Sequence, residues 1–239
     1  MIGAVNQIAL DQEAVVDAAC RLVERVGARE LTMRMLAQEL GASTMAAYRH
    51  VPSKRALLLL VADAIVGRVE VPPPDAGDWE TRLLKLELAA FHELCKVPDL
   101  LDLLPDESFP SRERLTSAVV DILLEAGFDP RTAALAHEMF FGYVQGQLKM
   151  RRQLEARPRQ PERRPAAAPG KPEVLLGSVV VDGREQVIDF EEYFDFGLRV
   201  ILAGLRQQLQ RTSCNEPAAD PGPVEGDGPA ECAGPGTAV

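Results

Sequence analysis

The sequence predicts an all-α protein in which a small N-terminal helix-turn-helix domain precedes a larger helical domain. Apolar residues recur three and four apart in stretch after stretch, the spacing that lines one face of a helix. Most of these stretches are bounded by Asp, Ser or Thr at the start or by Gly or Pro at the end, residues that begin and stop helices. Near the N-terminus a short helical pair pivots about Ala37 and Gly41, the smallest residues available for a close crossing and a tight turn.

The first helix is expected from about Asp11, whose carboxylate can cap free N–H groups, to Val26, with Gly27 ending it. Val15, Ala19, Leu22, Val23 and Val26 form its apolar stripe. Thr32 caps a short helix over Met33 to Leu40, and a second short helix follows from Ser43 or Thr44 to about His50. Ser53 caps a fourth helix, to about Val69, ahead of Pro72-Pro73-Pro74. Asp78 opens a helix carrying Trp79, Leu83, Leu86, Ala90 and Leu94, and Pro98 to Leu104 is a short helical link. A further helix spans Ser111 to Ala126, and Asp129-Pro130 starts a long one reaching about Glu155. Residues 157–171, rich in Pro, Arg and Ala, read as a mobile loop. Val179 to Gly183 reads as half of a hairpin, because Asp-Gly suits a tight turn. A last helix covers Asp189 to Arg211. The Pro/Gly-rich tail from Thr212 is acidic and expected to be disordered. The domains are therefore expected at 1–70, 71–211 and, for the tail, 212–239.

Composition narrows the function. The 239-residue chain is 46% hydrophobic and 26% charged, ordinary for a globular protein. No apolar run approaches the roughly 18 residues of a membrane span, and the start lacks a basic signal-peptide region, so the expected location is the cytoplasm without membrane attachment. The four cysteines, Cys20, Cys95, Cys214 and Cys232, form neither a zinc pattern nor a disulfide framework, and no cofactor is expected. A net charge of −10 argues against a general nucleic-acid coat protein. Yet Arg29, Arg34, Arg49, Lys54 and Arg55 form a basic island around the short helical pair, opposed only by Glu30 and Glu39. With no GxSxG, no Gly-rich phosphate loop and no paired metal ligands, the chain reads as no enzyme.

The island and the helical pair together point to DNA. Leu36, Leu40 and Ala47 can close a core between the two short helices, leaving the second to project into a major groove. Its outer face offers Ser43, Thr44, Met45, Tyr48, Arg49 and His50. Hydroxyls can bond phosphates or base edges, Met45 can pack on a thymine methyl, and Arg49 can read guanine or hold a phosphate. Tyr48, His50 and Lys54 sit toward the rim, where they can hold the backbone, and Thr32 and Arg34 can do the same from the other side.

These residues carry a family resemblance. Leu31 to Gly41, then Ala46-Ala47-Tyr48-Arg49-His50-Val51 and Ser53-Lys54-Arg55-Ala56-Leu57-Leu58, resemble the DNA-binding motif of the TetR family over about Asp11 to Val69. Met139 to Gly146 and Phe194 to Leu205 resemble the last two helices of the tetracycline-repressor-type regulatory domain. The resemblance implies DNA contacts at Thr32, Arg34, Thr44, Met45, Tyr48, His50 and Lys54. It also implies a homodimer built from two helices of each subunit, and a ligand cavity in each regulatory domain. Arg49 departs from the bulky aromatic common beside that tyrosine, so operator preference does not carry over.

The implied homodimer would use Gly142, Gly146, Phe194, Leu198, Ile201 and Leu205, although the two glycines could equally loosen their helix around a cavity. Phe91, His92, His137, Phe140, Phe141 and Gln145 are candidates for the effector pocket, or else ordinary core and solvated surface. Neither histidine has a partner at metal-ligand spacing, and no metal is expected. The arginines from Arg151 to Arg164 are a solvated loop or a second nucleic-acid patch. The expected function is a repressor released from a palindromic double-stranded DNA operator by a small-molecule effector. The alternative is a ligand-binding or scaffold protein that no longer binds an operator.

Overall fold

The computed structural model describes residues 11–104, 107–155, 173–175, 178–181, 184–187 and 189–215. Among the described residues there are eight α-helices: α1 Gln12–Val26, α2 Met33–Glu39, α3 Thr44–His50, α4 Lys54–Gly67, α5 Trp79–Cys95, α6 Pro110–Glu125, α7 Pro130–Glu155 and α8 Phe190–Asn215. Short 3₁₀ turns at Pro74–Ala76 and Leu101–Leu103 flank α5.

The caps are those the residues dictate. Asp11 accepts from the Ala14 N–H at 2.8 Å, Thr32 from Met35 at 3.2 Å, Ser43 from Ala46 at 3.1 Å and Ser53 from Ala56 at 3.1 Å. Asp78 accepts from Thr81 at 2.8 Å and Asp129 from Thr132 at 3.1 Å. Each satisfies a donor that the first helical turn leaves free. Gly41 sits at φ +60°, which a Cβ would oppose, and so turns α2 into α3.

The helices α1 to α4 pack around Val15, Leu22, Leu36, Ala47 and Leu57, all essentially inaccessible. The core continues without a break through α4, against α5 and α6, into the bundle of α5 to α8. There Phe91 of α5 stacks on Phe194 of α8, ring centroids 3.7 Å apart, and Tyr143 of α7 stacks on the other side at 5.3 Å. At Gly197 a Cβ would run into the Tyr143 ring, so glycine is what lets α8 approach α7. The Tyr143 hydroxyl donates to the Phe194 carbonyl at 3.1 Å.

Helix α8 and the hairpin differ from expectation. Helix α8 continues four residues beyond Arg211 to Asn215, because no proline stops it before Pro217. The rest of the tail expected to be disordered lies outside the described residues, as do residues 157–171. The hairpin at 179–183 is larger than a half. Strand β2 Ser178–Val181 pairs antiparallel with β3 Arg184–Val187 and with β1 Glu173–Leu175, in the order β1-β2-β3. Val181 pairs with Arg184, and the turn expected at Asp182-Gly183 lies outside the described residues.

Candidate functional site

Two surfaces and one cavity gather most of the candidate residues. The first surface is the outer side of α2 and α3. Ala47 is fully buried beneath it, against Leu36 and Ala37, while Met45 is 74% and Tyr48 43% exposed. An exposed methionine of that size on a helix with a buried alanine face gains nothing from the fold, so its apolar end is free for another molecule. Arg34 and Arg49 are exposed and form no ion pair among the described residues. Thr32 and Ser43 spend a lone pair on their caps, which leaves each hydroxyl hydrogen to donate outward. Thr44 and His50 are half-buried at the two ends of α3.

Lys54 has a second task that its sequence position does not announce. Its Nζ donates to the Arg29 carbonyl at 2.7 Å, bracing the turn between α1 and α2 against α4. That turn is held on its other side by Asp99, whose carboxylate accepts from the Ala28 N–H at 3.2 Å and the Arg29 N–H at 2.9 Å. Asp99 lies just after α5, so the regulatory helices grip the DNA-facing unit at its first turn. Further links run from α4 to α6: Asp63 accepts from the Ser111 N–H at 2.7 Å, and Arg114 donates to the Val69 carbonyl at 2.8 Å. Arg55 pairs with Glu107.

The cavity lies among α4, α5, α6 and α7, opens to solvent and has a volume of about 90 Å³. Its wall is apolar, with Leu86, Leu94, Phe109 and Val119 among its members, and its polar groups are Glu87, Arg112, Thr116 and His137. Arg112 places its guanidinium 4.7 Å from the centre of the Phe141 ring and donates to the Glu107 carbonyl at 2.8 Å. Burial holds the His137 imidazole below its ordinary pKa, and its Nδ1 has no hydrogen-bond partner among the described residues. Burial pushes the Glu87 carboxyl up to about 7.

Of the pocket candidates, His137 and Phe141 line this cavity. The other four do not. Phe91 and Phe140 are fully buried core, because two stacked rings cover Phe91 and Phe140 faces inward from α7. His92 is exposed and lies 3.7 Å from Glu191 of α8, and Gln145 is half-buried outside the cavity wall. Glu87, Arg112 and Thr116 were missed. Glu87 had a legible signal: it shares the face of Leu83, Leu86, Ala90 and Leu94, where a carboxylate breaks an otherwise apolar stripe.

The second surface runs along α7 and α8. Three of the six residues expected to join two subunits need correction here. Phe194, Leu198 and Leu205 are buried within the protomer, against α5 and α7, and Ile201 is half-buried beside them. The side of α8 that faces out carries Phe196 and Val200, 64% and 56% exposed. Beside it α7 exposes Leu135, Met139, Gly142 and Gly146. A Cβ on either glycine would meet nothing within 4 Å, so packing inside the protomer does not require them, and neither lines the cavity. No group of three or more metal-binding side chains occurs among the described residues, and none of their helices is long and apolar enough to cross a membrane.

An N-terminal helix-turn-helix with a basic, exposed second helix, joined rigidly to a helical bundle with an internal cavity, defines a DNA-binding transcriptional regulator. The comparisons give the family. Residues 15–61 match the model of bacterial regulatory proteins of the tetR family, and residues 71–209 match the tetracyclin repressor-like C-terminal domain. The chain belongs to the TetR family of transcriptional regulators, a family of regulators and not of enzymes. It is 30% identical over 210 residues to the HTH-type transcriptional repressor DrrR1 of Streptomyces coeruleorubidus, covering 82% of this chain and 77% of that one. A possible TetR family regulator from Streptomyces coelicolor superposes with a TM-score of 0.66 at 26% identity, over 83% of this chain and all (100%) of that one. A variant of the Acinetobacter baumannii TetR in complex with minocycline superposes with a TM-score of 0.62 at 25% identity, over 84% and 98% of the two chains.

Proposed function

We propose that the chain is a homodimeric repressor that holds a palindromic operator through α3 and is released when a small molecule fills the cavity among α4 to α7. The observation that carries this reading is the continuous mechanical path between the two sites. Leu94 and Leu101 of the cavity wall bracket the segment bearing Asp99, Asp99 holds the N–H groups of Ala28 and Arg29, and Lys54 holds the Arg29 carbonyl. A ligand that displaces the end of α5 tilts the α1–α2 turn and with it α2 and α3. Two such units must sit roughly 34–36 Å apart to enter consecutive major grooves, so a small tilt lowers affinity. Ligand and operator then weaken each other equally.

In this reading Ser43, Thr44, Met45, Tyr48 and Arg49 meet base edges and the adjoining backbone, while Thr32, Arg34, His50 and Lys54 meet phosphates. The apolar stripe of Leu135, Met139, Phe196 and Val200, with Gly142 and Gly146 allowing close approach, joins the subunits as a four-helix bundle. The exposure of these large side chains on two packed helices is the support for that assignment. The site of action is the cytoplasm, with no membrane partner. The A. baumannii TetR variant in complex with minocycline supports a small-molecule effector.

The test is fluorescence-anisotropy binding to DNA from upstream of the protein's own coding region at two salt concentrations. Saturable binding to a palindrome by a dimer, weakened in Tyr48→Ala and Arg49→Ala, is expected. Binding that is indifferent to sequence across a genomic fragment library overturns the operator reading.

A further inference from the structure

The cavity contains a group that the fold does not explain. Glu87 is 7% exposed, lines the cavity, and makes no hydrogen bond or ion pair among the described residues. A buried carboxyl without a partner costs stability and is retained in native proteins where something else pairs with it. The charged and titratable groups that face the same space do not serve. Arg112 is engaged by the Glu107 carbonyl and the Phe141 ring, and burial disfavours a charge on His137. The remaining wall is apolar apart from Thr116.

Resting on the reading of this cavity as the effector site, we propose that the effector is a mainly apolar molecule carrying one basic amine, and that its ammonium group pairs with Glu87. The cavity would hold the apolar body against Leu86, Leu94, Phe109 and Val119. An ammonium is preferred to a neutral donor because a charge-assisted hydrogen bond is roughly twice as strong as a neutral one, and because it compensates the buried charge instead of merely solvating it. A carboxylate-bearing ligand is excluded from the Glu87 end by like-charge repulsion.

The experiment compares dansylcadaverine, an apolar fluorophore with a primary amine, with its neutral N-acetyl derivative, by fluorescence titration of the full chain at pH 7.5. Wild type is expected to bind the amine at least about tenfold more tightly than the acetyl form. In Glu87→Gln the preference should fall to near unity with acetyl-form affinity unchanged, and Glu87→Leu should show the same loss. The wild-type comparison stands even if a variant fails to fold. Equal affinity for the two probes in wild type, an amine preference that survives in Glu87→Gln, or no saturable binding of either probe overturns the proposal. Operator binding measured on the same samples separates the two readings. Operator binding without amine preference refutes only the amine. Amine preference without any operator binding refutes the regulator and leaves the amine site standing.

Discussion

Replacing Glu87 by glutamine should change how stability depends on pH, whatever the effector is. The buried carboxyl has its pKa raised from 4.5 to about 7 by desolvation. At low pH the folded and unfolded chains both carry the proton and the group contributes nothing. As pH rises through 4.5 the unfolded chain ionises first, which favours unfolding, and the loss grows until the folded group ionises near 7. Between pH 5 and pH 8 this amounts to about 2–3 kcal/mol of stability lost by wild type. Glutamine has nearly the same shape and no titration, so the variant should keep that energy. Urea denaturation of both proteins at pH 5, 6.5 and 8, at one protein concentration, measures it. The variant should gain about 2–3 kcal/mol on wild type between pH 5 and pH 8. Parallel pH profiles would show that Glu87 is already solvated or paired and therefore not isolated.

Other perturbations test the remaining parts of the structure. Asp99→Ala removes two hydrogen bonds to a charged acceptor and should cost about 2 kcal/mol in a denaturant titration; an unchanged midpoint would mean the two units are held together elsewhere. Arg34→Ala should flatten the slope of log affinity for operator DNA against log salt by about one, with no change in sequence preference, if that side chain meets a phosphate. Val200→Glu places a charge on the exposed α8 stripe and should convert a dimer to a monomer in light scattering, whereas Leu198→Ala should lower stability by about 2–5 kcal/mol through a core cavity. Gly41→Val should lower stability by about 1–2 kcal/mol from backbone strain alone, since nothing within 4 Å opposes the side chain itself.

Local chemistry sufficed for the helices. A capping side chain, an apolar period and a stop are all contained within about twenty residues, so α1 to α7 begin at the expected residue or next to it and α8 begins one residue after its expected start. The helix-turn-helix was equally legible, because Ala37, Gly41 and Ala47 state the crossing within a few residues of one another. Half of the candidate dimer residues were not. Helix α8 is apolar on more than one side, and a stripe says that a face is covered without saying by what. Phe194, Leu198 and Leu205 turned out to be covered by α5 and α7, which moves the candidate interface to Phe196 and Val200.

The same limit governs the pocket and the coupling. Aromatic residues announce burial, and only the packed bundle separates Phe91 and Phe140, stacked in the core, from Phe141, which faces a void. The sequence by itself determined the elements, their order, the reading helix and the family, since these depend on neighbours along the chain. The tertiary structure decided which apolar face meets which helix, that Glu87 is isolated in a cavity, and that Asp99 reaches Ala28 and Arg29 some seventy residues away. Those are contacts between distant segments, set by how whole helices pack, and no local period encodes them.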